Sequence, residues 1–216
     1  MKKLVIFDLD GTLLNTLEDL AIAGNYALKQ SGLPVHPTEA FKQFVGNGVY
    51  KLVERMTPEN LRADERLLAK LKADFDFWYG AHGEANTAPY DGVIELLDRL
   101  AEMGVARAVL SNKPHEFAVP LCQKYFGDRF TVVFGQRQGY PCKPDRMLTA
   151  EILEKTGVSP EDAIYVGDSG VDMQTAKNGD LFAVGALWGF RSRAELEENG
   201  ADAVAERPLD LLNEIG

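Results

Sequence analysis

The first apolar run of the chain is short. Residues 4–9, LVIFDL, carry Val and Ile and read as a buried strand that breaks off among acids. A helical pattern follows: Leu17, Leu20, Ala21, Gly24, Ala27 and Leu28 recur at helical spacing, Thr16-Leu17-Glu18-Asp19 matches a capping box, and Gly32 closes the segment. The next stretch predicts no strand at all. A short helix is expected over 38–44, a break at Gly46-Asn47-Gly48, and a second helix carrying Val49, Leu52, Val53 and Met56. Thr57-Pro58 predicts a cap with Pro at the first helical position. Leu67, Leu68, Leu71, Phe75, Trp78 and Tyr79 line an amphipathic helix whose apolar side is core, and 83–92 is a polar connection.

From Gly92 onward strands and helices alternate. Strands are expected over 105–110, 131–134, 163–166, 181–186 and 203–205. Helices are expected over 93–103, 114–126, 145–156, 171–178, 193–199 and 208–215. Such alternation implies parallel strands joined by right-handed crossovers, hence an α/β fold with a doubly wound (Rossmann-like) parallel sheet. The all-helical block interrupts that sheet after its first strand. The expected division is therefore an α/β core of 1–15 and 86–216 with an inserted all-helical cap of 16–85.

Composition narrows the function classes. The 216 residues carry a net charge of −10 and no dense Lys/Arg run, which disfavours nucleic acid and anionic membrane as partners. Cys122 and Cys142 are too few for a disulfide framework and read as reduced thiols, Cys122 in the core. The opening MKKLVIF meets Asp8 far short of a signal sequence, and no later run is long enough to span a bilayer. The expectation is a cytoplasmic protein, monomer or weak homodimer. His36, His82 and His115 fall outside the strand-end motifs and read as surface or capping residues.

The chemistry collects where the strands end. Ligands of open parallel sheets sit beyond the carboxyl ends of the strands. The first strand ends in Asp8-Leu9-Asp10-Gly11-Thr12, the second in Ser111-Asn112-Lys113, and the fourth in Gly167-Asp168-Ser169-Gly170-Val171-Asp172. The third is followed by Lys143-Pro144-Asp145, and the fifth carries no such cluster. Asp-Gly after an apolar run is also a hairpin signal, but here a helix follows. If the chain stays extended, Asp8 and Asp10 share a face. Two carboxylates so close raise one pKa or require a cation. With Asp168 and Asp172 the set suits a hard divalent cation bound by oxygen, Mg²⁺ first. Ser111 and Asn112, at the head of a helix, suit a phosphate oxygen.

In this order and at these strand ends the motifs resemble the haloacid dehalogenase superfamily of phosphatases, over nearly the whole chain. Asp8-Leu9-Asp10-Gly11-Thr12 is similar to its first motif, Ser111 to its second, Lys143 to its third, and Gly167-Asp168 through Asp172 to its fourth. The helical insert is similar to a C1-type cap. Phe44-Val45-Gly46-Asn47-Gly48 and Ser111-Asn112-Lys113-Pro114-His115-Glu116-Phe117 resemble phosphoglycolate phosphatases. The resemblance implies Asp8 as nucleophile, Asp10 as acid and base, and Lys143 as the charge partner of the transferred group. It also implies Mg²⁺ held by Asp8, the Asp10 carbonyl and Asp168, with Asp172 behind them or bound through water. Thr12, Ser111 and Asn112 would serve the phosphate, and Asn47 in the cap would bond the substrate, with Lys51 or Arg55 as cations for a carboxylate. The implied substrate is a small phosphorylated metabolite. Asn15 and Gly170 stand where related chains often carry acids. A pyrophosphatase or sugar-phosphate mutase of the same superfamily is the rival enzyme. A receiver-like signalling domain and a non-catalytic binding module are the rivals from other classes.

Overall fold

The run LVIF forms β1 (Leu4–Phe7), and all four of its side chains are buried. In the computed structural model, which describes all 216 residues, β1 lies inside a six-stranded sheet. The other strands are β2 (Ala106–Pro114), β3 (Val132–Gln136), β4 (Ala163–Gly167), β5 (Phe182–Ala186) and β6 (Ala203–Ala205). Their order is β3-β2-β1-β4-β5-β6, and every neighbouring pair is parallel. Leu4 pairs with Ala106 on one side and Ala163 on the other, and Phe7 with Val109 and Val166. The strand order therefore reverses at β1, and such a switch point opens a crevice at the carboxyl ends of the strands. Asp8 extends the ladder one step, its N–H bonding the Val166 carbonyl at 2.9 Å.

The sheet sits in a unit made of Met1–Leu14 and Pro89–Gly216, distinct from a second unit, Asn15–Ala88. Alternation along β1 serves two cores. Val5 and Phe7 pack with Leu96, Leu97 and Leu100 of the helix Val93–Glu102 and with Leu121, Cys122 and Phe126 of the helix His115–Phe126. Leu4 and Ile6 pack with Leu148 and Ile152 of the helix Met147–Thr156 and with Met173 and Ala176 of the helix Gly170–Asn178. Burial on both faces explains why the strands read as continuous apolar runs rather than alternating ones. Burial also pushes the Cys122 thiol up to about 12, so it behaves as a small apolar side chain. β2 runs four residues beyond its apolar run and carries Ser111, Asn112 and Lys113 inside the strand, with a register break between Leu110 and Pro114.

The second unit is helical: α1 (Leu17–Gln30), α2 (Phe41–Phe44), α3 (Val49–Met56) and α4 (Glu65–His82). Leu68, Leu71, Phe75 and Tyr79 of α4 are buried, while Trp78 is half-buried and stacks on Tyr26 at 4.4 Å. Gly24 of α1 faces the Phe41 ring so closely that a Cβ there would overlap it. His36 is not a plain surface residue: its Nε2 lies 2.7 Å from the Met56 carbonyl, and its ring stands edge-on to Phe44. No helix of the chain is long and apolar enough to cross a membrane.

Two expected caps do not form. Thr57 does not cap the turn after it; its hydroxyl donates back to the Val53 carbonyl at 2.7 Å. Thr16 precedes α1 without a side-chain capping bond, and its hydroxyl is buried with no partner. Asp19 instead accepts from the Asn86 backbone, the Asn86 amide and the Thr87 hydroxyl, at 2.7–3.1 Å. A carboxylate filled by three donor groups has nothing left for its own helix end. Asp19→Ala is therefore expected to lower stability by about 2–3 kcal/mol. Thr16→Val is expected to be neutral or stabilising, against the loss of about 1 kcal/mol that a working cap would show. Denaturant midpoints of the two variants check both.

Candidate active site

Three acids from two neighbouring strand ends converge. Asp8 follows β1, Asp168 follows β4, and Asp172 lies on the first turn of the helix Gly170–Asn178. Each offers a carboxylate oxygen, and these atoms all lie within 4.8 Å of one another, all three residues being buried. Lys143, from the loop after β3, reaches into the same place. Its Nζ lies 2.9 Å from Asp8 Oδ1, 2.7 Å from Asp172 Oδ1 and 3.1 Å from the Tyr165 hydroxyl. Burial opposes the charge on Lys143, but Asp172 and Asp8 outweigh it and hold the ammonium well above the ordinary lysine value.

The three acids are not equivalent. Asp172 is the most engaged: Oδ2 accepts from the Ser169 N–H and hydroxyl at 3.1 and 2.6 Å, closing the capping box of its helix, and Oδ1 holds Lys143. Asp168 accepts one bond per oxygen, from the Thr12 hydroxyl at 3.2 Å and the Phe190 N–H at 2.8 Å. Asp8 Oδ1 is buried, and the Lys143 ammonium at 2.9 Å is its close partner. A carboxylate has about four acceptor positions. Asp8 and Asp168 keep positions for a cation, whereas Asp172 is spent on Lys143 and its helix. The donor set, all carboxylate oxygen, suits a hard divalent ion.

Several expected site residues take other positions. The chain does not stay extended past Asp8. Leu13 and Leu14 both donate to the Leu9 carbonyl, at 3.0 and 2.9 Å, and Gly11 turns with φ +87°. A Cβ on Gly11 would overlap Asp168, which is why this turn needs glycine. Asp8 and Asp10 therefore face different partners. The Asp10 carboxylate stands outside the acid cluster and ion-pairs with Lys113, whose Nζ lies 3.0 and 3.2 Å from its two oxygens. Thr12, expected at the phosphate, spends its hydroxyl on Asp168 and is 1% exposed. Asn112, expected there too, clamps the Lys143 backbone: Oδ1 accepts from the Lys143 N–H at 2.8 Å and Nδ2 donates to its carbonyl at 3.3 Å. Ser111 Oγ accepts from the Lys113 N–H at 3.3 Å, which leaves its own proton for a ligand oxygen.

Three contributors had no role assigned to them by the sequence pattern. Lys113 is one, and Tyr165, whose hydroxyl also reaches the Leu110 carbonyl at 3.1 Å, is another. The third is the loop after β5, the strand with no acidic cluster. There Phe190 N–H holds Asp168, and the Trp188 indole donates to the Thr12 carbonyl at 2.8 Å. Gly189 in this loop leaves no room for a Cβ beside Asp168 and the Gly11 carbonyl. Gly170 is explained in the same way, since a Cβ there would lie 2.7 Å from the Asn199 amide.

Asn47 belongs to the helical unit. Gly46 and Gly48 flank it with φ +116° and +84°, and Arg55 of α3 ties the loop together. Its guanidinium donates to Asn47 Oδ1 at 2.7 Å and to the Phe44 carbonyl at 3.2 Å. Lys51 pairs with Glu54 at 2.6 Å on the surface.

Burial chiefly, with Lys143 pulling down and Asp172 pushing up, raises the Asp8 carboxyl to about 7. Burial, then Asp172 and Asp8, raises Asp168 to about 8. An acid raised above its ordinary 3.8 supports the fold fully below that value and loses the contribution as pH climbs through the folded values. The metal-free protein should therefore melt at a lower temperature at about pH 9 than at about pH 5. A divalent cation offsets the repulsion, and protons compete with it at low pH, so it should raise the midpoint far more at the higher pH. Thermal melts at both pH values, with and without the cation, check this; equal shifts would separate the cation from these acids.

Comparison with known proteins agrees with this geometry. A family model described as haloacid dehalogenase-like hydrolase matches residues 5–186. A phosphoglycolate phosphatase of Thiobacillus denitrificans is 33% identical over 205 residues, covering 94% of this chain and 90% of the relative. One of Vibrio vulnificus is 31% identical over 218 residues, covering 99% and 96%. A crystal structure from Lactobacillus delbrueckii subsp. bulgaricus, assigned as a phosphoglycolate phosphatase, superposes with a TM-score of 0.93 at 31% identity, covering 100% of this chain and 99% of that one. With its strand order, its strand-end acids and this similarity along nearly its whole length, the chain belongs to the haloacid dehalogenase-like hydrolases.

Proposed function

We propose that the chain hydrolyses a small phosphomonoester, 2-phosphoglycolate first among candidates, through a phosphoryl group carried on Asp8. The observation that carries this reading is the state of Asp8: buried at the switch point, 2.9 Å from a charged lysine, and clustered with two further acids. Asp8 and Asp168 would hold Mg²⁺, with the Asp10 carbonyl completing the protein ligands and Asp172 behind them. The bound cation would neutralise negative charge on the transferred group.

The residues then divide the work. A carboxylate oxygen of Asp8 attacks phosphorus, and the bond from phosphorus to the alcohol oxygen breaks. Asp10 gives its proton to the departing oxygen, then takes one from the water that attacks the phosphorylated Asp8. That second attack breaks the bond between Asp8 and phosphorus, releases phosphate and restores both acids. Lys143 keeps Asp8 in place and offsets charge on the phosphoryl oxygens, and the Ser111 hydroxyl donates to one of them. Thr12 and Asn112 act one step back, fixing Asp168 and the Lys143 backbone.

In this reading the helical unit, Asn15–Ala88, would choose the substrate. Arg55 takes the acceptor end of Asn47, so in this reading the Asn47 Nδ2 would be the donor that meets a substrate oxygen. Arg55 is thereby a holder of the loop rather than the cation for a carboxylate.

A panel of phosphomonoesters assayed with and without Mg²⁺ tests the reading. Asp8→Asn is expected to reduce turnover by about 10⁴-fold or more; turnover near the unsubstituted level would overturn the covalent route. Asn47→Ala is expected to raise KM for 2-phosphoglycolate by about 10-fold while sparing nitrophenyl phosphate. An unchanged profile would remove the loop from recognition.

A further inference from the structure

The ion pair between Lys113 and Asp10 is not explained by folding alone. Lys113 sits inside β2, where the register breaks, and its side chain is 3% exposed against 12% for Asp10. The cation is the inner member and the carboxylate the outer one. Both Asp10 oxygens lie on the same ammonium, at 3.0 and 3.2 Å, which fixes the plane of the carboxyl group. The Lys113 backbone is fixed as well. Its N–H bonds Ser111 Oγ, and Gly135 of β3 comes so near that a Cβ there would lie 2.6 Å from the Lys113 carbonyl. Buried ion pairs add little stability over apolar replacements, so a rigid pair with its acid toward solvent needs another reason.

We propose that Lys113 is the positioning residue of Asp10. The inference rests on the reading of Asp10 as proton donor and acceptor. Lys113 acts in two ways. It draws the Asp10 carboxyl out of the cluster of Asp8, Asp168 and Asp172, so that the two acids of the first motif do not compete for Lys143. It also balances the charge that appears on Asp10 when its proton passes to the leaving oxygen, and the same charge is consumed when Asp10 takes a proton from water. Lys113 itself gives up no proton and touches no substrate atom.

The leaving group reports on this role. An alkyl oxygen needs a proton as it departs, whereas a nitrophenyl oxygen leaves with little help. kcat/KM covers the steps up to that departure and is to be measured with Mg²⁺ for an alkyl phosphate and for nitrophenyl phosphate. Lys113→Met should lose about 100-fold on the alkyl ester and less than about 5-fold on the aryl ester. Lys113→Arg should restore most of the loss. Lys113→Met leaves the half-buried Asp10 carboxylate without its counterion and is at risk of not folding. The double variant Asp10→Asn with Lys113→Met removes both charges and carries the test without that risk. If Lys113 acts only through Asp10, the double variant matches Asp10→Asn alone. A further loss in the double variant, or an equal loss of Lys113→Met on both esters, overturns the proposal. If Asp10→Asn itself shows no dependence on the ester, the reading of Asp10 fails and the proposal falls with it. If Asp10→Asn shows the dependence and a folded Lys113→Met does not, only the proposal falls.

Discussion

The site depends on one buried ammonium. Lys143 stands among Asp8, Asp172 and Tyr165, and three carboxylates crowd the space it occupies. If all three ionise, one lysine leaves two negative charges uncompensated in a buried cluster. Uncompensated buried charge is costly enough that a protein ordinarily protonates the group or pairs it. Here the upward shifts of Asp8 and Asp168 express that cost. A divalent cation carries the two positive charges the cluster lacks. The arrangement is thus unfavourable for the fold alone and suited to binding, as expected where function rather than stability sets the residues.

The sheet order makes such crowding possible. Parallel strands point all their carboxyl ends one way, and the reversal at β1 leaves the end of that strand open between β2 and β4. Asp8, Ser111 and Asp168 then project from three adjacent strand ends. Glycine does the rest, since Gly11 and Gly189 let two backbone segments close on the Asp168 carboxylate, where any side chain would collide. The Thr12 hydroxyl and Phe190 N–H that hold Asp168 come from those same segments. Rigidity at the acid is therefore supplied by backbone proximity and not by side-chain bulk.

Much of this was legible in the sequence, because the signals are local. Apolar runs located the strands to within a few residues, helical spacing located most helices, and acids at run ends marked the rim. What escaped notice depends on distant partners. Lys113 and Asp10 are 103 residues apart, and nothing in Ser-Asn-Lys distinguishes a buried lysine from a solvated one. Tyr165 reads as one more apolar residue of β4 until its hydroxyl meets Lys143. The loop after β5 contributes a backbone N–H, which has no side-chain signature at all. Asp19 shows the converse: the capping pattern was present, but Asn86 and Thr87, 67 and 68 residues away, took the carboxylate.

The spacing of Asp8 and Asp10 acquires its meaning from these distant partners. Alternation in an extended chain would have put both carboxylates on one face, where each would disfavour the charge of the other. The turn that begins at Leu9 separates them, and each is met by a lysine from a different part of the sheet. Lys143, from the loop after β3, takes Asp8 into the acid cluster. Lys113, from within β2, takes Asp10 out of it. Two like charges two residues apart are tolerated because the tertiary structure supplies them with separate counterions. Under the proposed mechanism, the same separation would free one acid to bear a phosphoryl group while the other handles protons, a division that a shared counterion would not allow.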